Sequence, residues 1–183
     1  QVNKDLRDKL VFGFQPHTSA FICNPSSLIV APASSAGKPG LPAEACSFLP
    51  NMETAVNLIQ DAAPIIGERA LVLGQGVVGL LVASLLKEFP LEVLVTSDCY
   101  ELRRKASREI GVDESFDATV LKNSNPNSID SMNSISDKNS DDGKKHQSGY
   151  AQNFDLSFEL TGSPSTLNDA IAMTAFSGRI VIG

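Results

Sequence analysis

From residue 70 onward, short apolar runs alternate with longer stretches in which apolar residues recur every three or four positions. Residues 70–73 form a compact apolar run. After the turn 74–76, Val78, Leu81, Val82, Leu85, Leu86 and Phe89 fall at helical spacing, and Pro90 ends the stripe. The β-branched run 92–96 (EVLVT) reads as a second strand. "YELRRKASREIG" reads as a helix with Leu102, Ala106 and Ile110 inward and Gly111 at its stop. Residues 117–121 (DATVL) give a third strand and 154–160 (FDLSFEL) a fourth. Ser163 and Pro164 stand at N-cap and N1 of a helix turning Leu167, Ala170, Ile171 and Thr174 inward. "GRIVIG" is a fifth strand. Such alternation predicts an α/β fold, a doubly wound parallel sheet with helices on both faces.

The rest of the chain has a different rhythm. Residues 1–50 are rich in Pro and Ser, with β-like runs at 9–14, 20–23 and 27–30. They read as the end of a β-rich unit, with a Pro/Gly linker or surface loop at 31–42. A helical pattern over 54–62 leads into the first strand of the 51–183 domain. Within that domain, 123–153 is dominated by Asn, Ser, Asp and Lys. It buries too little apolar surface to offset the entropy of ordering, and reads as a disordered insertion.

Composition narrows the function classes. The 183 residues carry a formal net charge of -6, which argues against a nucleic-acid partner because a phosphate backbone calls for a basic face. No apolar run approaches the ~18 residues of a membrane span. Cys23, Cys46 and Cys99 are scattered and odd in number, a pattern of reduced thiols in a cytoplasmic chain. The chain starts at Gln1 and stops in a strand-like segment, and so reads as a piece of a longer protein.

The turn between first strand and first stripe carries the candidate chemistry. Gly74-Gln75-Gly76-Val77-Val78-Gly79 is G-x-G-x-x-G with a strand before and a helix after. In that setting the first glycine makes the tight turn. The second lets a pyrophosphate approach the backbone, and the third lets helix and strand pack. The helix start favours the diphosphate through its unpaired N–H groups and dipole. Asp98 stands 19 residues beyond Gly79, close to the ~20 expected of the acid that binds the adenosine ribose. A carboxylate there repels a 2′-phosphate, so NAD is favoured over NADP, against the pull of Arg103 and Arg104. Asp98 is equally placed to cap the helix that follows.

"VFGFQPHTSAF", "FLPNMETAVNL", "GERALVLGQGVVGLL", "DLSFELTGSP" and "GRIVIG" together resemble the medium-chain dehydrogenase/reductase superfamily, the zinc-type alcohol dehydrogenase-like group. "FLPNMETA" and "GRIVIG" resemble most the branch related to bacteriochlorophyllide a dehydrogenases. The resemblance implies that 1–50 is the end of a GroES-like β-barrel catalytic domain and 51–183 a Rossmann domain short of its last strand. It implies that Gly74, Gly76, Gly79 and the backbone at Val77 and Val78 hold the pyrophosphate. Asp98 would hold the ribose with Arg103 assisting, and Thr161 would line the cofactor cleft. It further implies a small-molecule substrate and a homo-oligomeric full-length protein.

The departures concern zinc. The four closely spaced cysteines of a structural zinc lobe are absent, and Leu49 and Pro50 stand where a catalytic ligand is expected. Glu53 reads either as a shifted ligand or as a helix-start carboxylate held by the dipole. His17 reads either as structural or as a residue of the active cleft. These departures count against zinc dependence, and no catalytic residue is assigned. The expected function is an NAD(H)-dependent oxidoreductase moving hydride between nicotinamide and an alcohol or carbonyl. The alternative is a dinucleotide-binding module without catalysis. An S-adenosylmethionine methyltransferase is more remote, since its turn is GxGxG after an acid, whereas Leu73 precedes this one.

Overall fold

The computed structural model describes residues 6–16, 18–33, 40–119 and 153–183. His17, residues 34–39 of the 31–42 linker and 123–152 of the proposed insertion lie outside the described residues. The chain divides into two compact units, Gln1–Pro50 and Asn51–Gly183.

In the first unit, β1 (Val11–Phe12) pairs antiparallel with β2 (Ile29–Val30), and Phe12 meets Phe14 edge to face at 5.2 Å. The run 20–23 is not a strand; Ile22 is fully exposed, and none of the described residues pairs its backbone into a ladder. A short helix α1 (Ala43–Cys46) follows. Helix α2 (Leu49–Ala62) begins five residues before the apolar periodicity does, because Pro50 is well suited to a first helical turn. Glu53 therefore lies past the first turn, beyond the reach of the helix-start effect, which corrects the dipole reading.

Among the described residues, the second unit is built on five parallel strands. They are β3 (Arg69–Leu73), β4 (Val93–Asp98), β5 (Glu114–Asp117), β6 (Phe154–Glu159) and β7 (Thr174–Ile182), in the order β5-β4-β3-β6-β7. Counted from β3, the order is 3-2-1-4-5, the doubly wound pattern whose crevice opens at the carboxyl ends around the first strand. Helices α3 (Val77–Leu86), α4 (Glu101–Ile110) and α5 (Pro164–Met173) connect the strands.

Alternation along β3 explains the two layers. Ala70 and Val72 join Leu58, Ile59, Val82 and Leu86 from α2 and α3 in one apolar cluster. Leu71 and Leu73 point the other way, toward Phe116, Phe154, Ala170 and Met173. β3 is central and covered on both faces, so it reads as a continuous apolar run.

Four expectations need correction. The third strand is 114–117: of the expected 117–121, Asp117 ends it, 118–119 are not extended and 120–121 lie outside the described residues. Phe116 is its buried apolar residue, and Asp117 turns the chain by accepting hydrogen bonds from Thr119 N–H and Oγ1. Leu102 is 80% exposed; the buried residues of α4 are Arg104 and Ser107. On α5 the inward residues are Ala170 and Met173, while Ile171 faces out. Phe89 lies beyond the end of α3 and is exposed. The edge strand β7 is also longer than "GRIVIG", reaching back to Thr174 across a register irregularity opposite Phe154 and Leu156. No helix among the described residues is long and apolar enough to cross a membrane.

Candidate functional site

The three glycines of the turn are needed for three different reasons. Gly74 has φ +94°, and a Cβ there would come within 2.9 Å of the Leu160 backbone and of Thr161 Cγ2. Both the conformation and the space exclude a side chain. Gly79 is buried in the first turns of α3, where a Cβ would overlap the Gly74 carbonyl oxygen. Helix and turn therefore touch backbone to backbone. Gly76 is the opposite case. Its φ of -70° suits any residue, and a Cβ would meet nothing within 4 Å. The absent side chain leaves open space in front of the helix start.

That space belongs to a cavity of about 250 Å³ at the carboxyl ends of the strands. Five of the residues expected at a cofactor site line it: Gly74, Gly76, Asp98, Arg103 and Thr161. Val77, Val78 and Gly79 do not. Val77 opens α3 with an exposed side chain, and Val78 packs on the core beside the buried Gly79. Any part they take is through main-chain N–H groups, which at a helix start have no intrahelical acceptor.

Asp98 ends β4 and is only 6% exposed. Its Oδ2 accepts the Gln75 N–H at 2.8 Å and meets Arg103 Nη1 at 3.4 Å; its Oδ1 accepts the Tyr100 N–H at 2.8 Å. The bond to Tyr100, the N-cap of α4, means that Asp98 also fastens the start of that helix. Both uses read from the sequence are thus geometrically compatible. The Arg103 guanidinium stands 4.9 Å from the centre of the Tyr100 ring at the cavity wall. Arg104, by contrast, is buried and turned into the protein. Its Nη1 donates to the Asp98 carbonyl at 2.8 Å, and its Nη2 pairs with Glu101 at 2.7 Å and Asp117 at 3.1 Å. That engagement removes it as a partner for a ligand phosphate.

The opposite wall comes from the turn after β6. Buried Glu159 accepts hydrogen bonds from the Thr161 N–H at 2.8 Å and from the Thr161 hydroxyl, whose oxygen accepts the Ser163 N–H at 3.0 Å. This chain fixes Thr161 against Gly74. Sequence reasoning missed Glu159, Tyr100 and the wall formed by Ser163, Thr166 and Asp169. For Glu159, Tyr100 and Ser163 the signal was positional: each lies at or just after the carboxyl end of β4 or β6, where α/β sheets hold their crevice, whereas Thr166 and Asp169 lie inside α5. Gln75 was also passed over. Its side chain is fully buried, with Nε2 donating to the Gly74 and Val72 carbonyls at 3.1 and 3.3 Å.

Two groups elsewhere in this unit titrate abnormally. Burial works to raise the Asp117 pKa, but hydrogen bonds from Thr119 and the charge of Arg104 prevail and lower it. The Arg108 hydrogen bond leads in lowering the Glu101 pKa, with burial opposing and the Arg104 and Arg108 charges assisting. Neither carboxylate lines the cavity. Among the described residues no three His, Cys, Asp or Glu side chains are grouped to hold a metal ion, so these residues offer no zinc centre. The three thiols are free.

Comparison with known proteins gives a consistent picture. No family model matches the chain. The L-threonine 3-dehydrogenase of Streptomyces coelicolor is 29% identical over 119 residues, covering 65% of this chain and 30% of that protein. The L-idonate 5-dehydrogenase (NAD(P)(+)) of Escherichia coli K12 is 26% identical over 135 residues, covering 74% of this chain and 33% of the relative. Its crystal structure superimposes with a TM-score of 0.62 at 21% identity, covering 86% of this chain and 38% of that one. An E. coli CFT073 alcohol dehydrogenase complexed with NADH gives a TM-score of 0.61 at 16% identity, covering 87% and 40%. The chain spans about a third of the length of the curated relatives it matches. With a 3-2-1-4-5 parallel sheet and a three-glycine turn at its first strand, the chain has a doubly wound α/β fold, and it is similar in sequence and in fold to these dehydrogenases.

Proposed function

We propose that this chain is the dinucleotide-binding part of an NAD(H)-dependent oxidoreductase, which moves hydride between nicotinamide and an alcohol or carbonyl of a small molecule. One observation carries the reading: the open space before Gly76 and the buried carboxylate of Asp98 face the same cavity. A diphosphate fits where a Cβ would stand, with the N–H groups of the α3 start turned to it. Asp98 accepts from the neighbouring ribose and disfavours a 2′-phosphate, while Arg103 and Tyr100 flank it. Thr161, held by Glu159, closes the other side.

The nicotinamide supplies the redox chemistry once bound; these residues hold the diphosphate and adenosine end that anchors it. The GroES-like origin of residues 1–50 and the roles of Val77 and Val78 are part of the same proposal. The finer kinship with bacteriochlorophyllide a dehydrogenases rests on "FLPNMETA" and "GRIVIG" alone.

Gly76→Val gives the test. Neither backbone strain nor a protein neighbour opposes the new side chain, so the melting temperature should hold. Calorimetric NADH affinity should fall at least about tenfold, because a branched side chain fills the diphosphate's place. Wild-type protein should bind NADH more tightly than NADPH. Undiminished NADH binding by the valine variant would remove the proposed site, and preference for NADPH would remove the role given to Asp98.

A further inference from the structure

Before any ligand arrives, Asp98 is already heavily used by the protein. A carboxylate offers about four acceptor positions. Three are occupied, by the Gln75 N–H, the Tyr100 N–H and the more distant Arg103 guanidinium. The bond to Gln75 is the informative one, because it crosses from the end of β4 to the middle of the glycine turn after β3. The adjacent Gly74 N–H is held from the same direction, donating to the Ser97 carbonyl at 2.8 Å. From below, the Gln75 side chain grips the Gly74 and Val72 carbonyls. Two successive amides of the turn are therefore fixed by the carboxyl end of the neighbouring strand, immediately before the amides that open α3.

We propose that Asp98 is a positioning residue for the diphosphate turn, separately from any contact with ribose: its Oδ2, by holding the Gln75 N–H, sets the direction in which Gly76 and the α3 start present their N–H groups. This rests on the dinucleotide reading of the cavity and gives its acid a second duty. The bond is short, buried and made to a charged acceptor, the class of hydrogen bond with the largest net worth. Without it, the turn has a buried N–H without its acceptor, and Gly74, already at positive φ, loses one restraint on its neighbour. An anion site made of main-chain amides depends on their common orientation, so a loosened turn weakens diphosphate binding even for a ligand that never touches Asp98.

Charge makes the test decisive, because the two roles predict opposite signs. If Asp98 only bound ribose, its removal would leave a hydroxyl-free nucleoside diphosphate unaffected or bound more tightly, since a negative charge near the phosphates would be gone. The probes are ADP and 2′,3′-dideoxy-ADP, titrated calorimetrically into wild type, Asp98→Ala and Asp98→Asn. Positioning predicts that Asp98→Ala weakens dideoxy-ADP about tenfold, as expected for losing one charge-assisted hydrogen bond. Asp98→Asn keeps one acceptor oxygen and should weaken it less, by about threefold. If the alanine variant does not melt cooperatively, the asparagine variant decides alone.

Equal or tighter dideoxy-ADP binding by the folded variants, with ADP weakened, overturns positioning and leaves the dinucleotide reading standing. Wild-type protein that binds neither probe overturns both.

Discussion

Helices α3 and α4 each run for ten residues, are neighbours, and connect successive strands of the same sheet, yet opposite chemistry holds them. The buried side of α3 is Gly79, Val82, Ala83 and Leu86, packed on Ala70 and Val72 of β3. The buried side of α4 is Arg104 and Ser107. Ser107 Oγ lies 2.7 Å from Thr96 Oγ1, and Arg104 reaches the Asp98 carbonyl, Asp117 and Glu101. One helix is placed by water exclusion, which is strong and tolerant of direction. The other is placed by hydrogen bonds, which contribute less in net stability but fix direction. The difference suits their positions. α3 must press its first turn against the glycine turn after β3, backbone to backbone. α4 must hold the end of β4 still, because Asp98 there faces the cavity.

Leu86→Ala tests the apolar side of this comparison and should have the largest effect. Leu86 is fully buried, so truncation removes transfer energy and leaves a cavity, a loss of about 3 kcal/mol in chemical denaturation. A loss below about 1 kcal/mol would mean that the α3 interface collapses around the gap and is less tightly packed than it looks.

Arg104→Met tests the polar side with a change of similar volume. The expected loss is smaller, about 1–2 kcal/mol. Glu101 and Asp117 are too exposed for their ion pairs to add much, and the Asp98 carbonyl keeps a 3.3 Å bond from the Ala118 N–H. pH separates this variant from ordinary core damage. Folding lowers the Asp117 pKa partly through Arg104. Such a group adds stability that is full above its unfolded pKa of about 4 and lost as pH falls through the native value. Wild type should therefore lose more than the methionine variant on acidification, and the gap between them should narrow below about pH 4. A gap independent of pH would show that the guanidinium acts by packing alone.

The same contrast explains what the sequence made legible. The α3 stripe was readable because its burial is apolar, and the glycine turn because each glycine answers a separate steric demand. β6 was found to within a residue, from an apolar run with a sharp end. On α4 Ile110 does pack against the apolar core, but Leu102 was misplaced because periodicity scores apolar residues, and the buried positions of this helix carry a guanidinium and a hydroxyl. Leu102 attracted the reading by being the largest apolar residue near the helix start. β5 starts three residues before the expected strand for a related reason: "ESFD" has a single large apolar side chain, Phe116, while "DATVL" looks more like a strand by composition. The cavity's Asp98 was found by spacing, but its bonds to Gln75 and Tyr100 were not, because no sequence pattern records which amide a carboxylate will accept. Glu159 escaped for the same reason, as a buried acid whose partner is the turn two residues on.

Leu102→Ser should have the smallest effect, and its value lies in that smallness. If apolar periodicity governed α4, Leu102 would be an anchor and its loss would cost as much as that of a half-buried leucine. In the structure it is 80% exposed, one turn from neither core cluster's members. The remaining cost is the poorer helix propensity of serine, less than about 0.5 kcal/mol. A denaturation midpoint unchanged within that margin, alongside a clear loss for Arg104→Met, would establish that α4 is held through its guanidinium and hydroxyl face. A loss above about 1.5 kcal/mol would place Leu102 under cover and reverse the assignment of the two faces. Because the end of β4 is tied to the Arg104 face, that reversal would also loosen the argument for a firmly held Asp98.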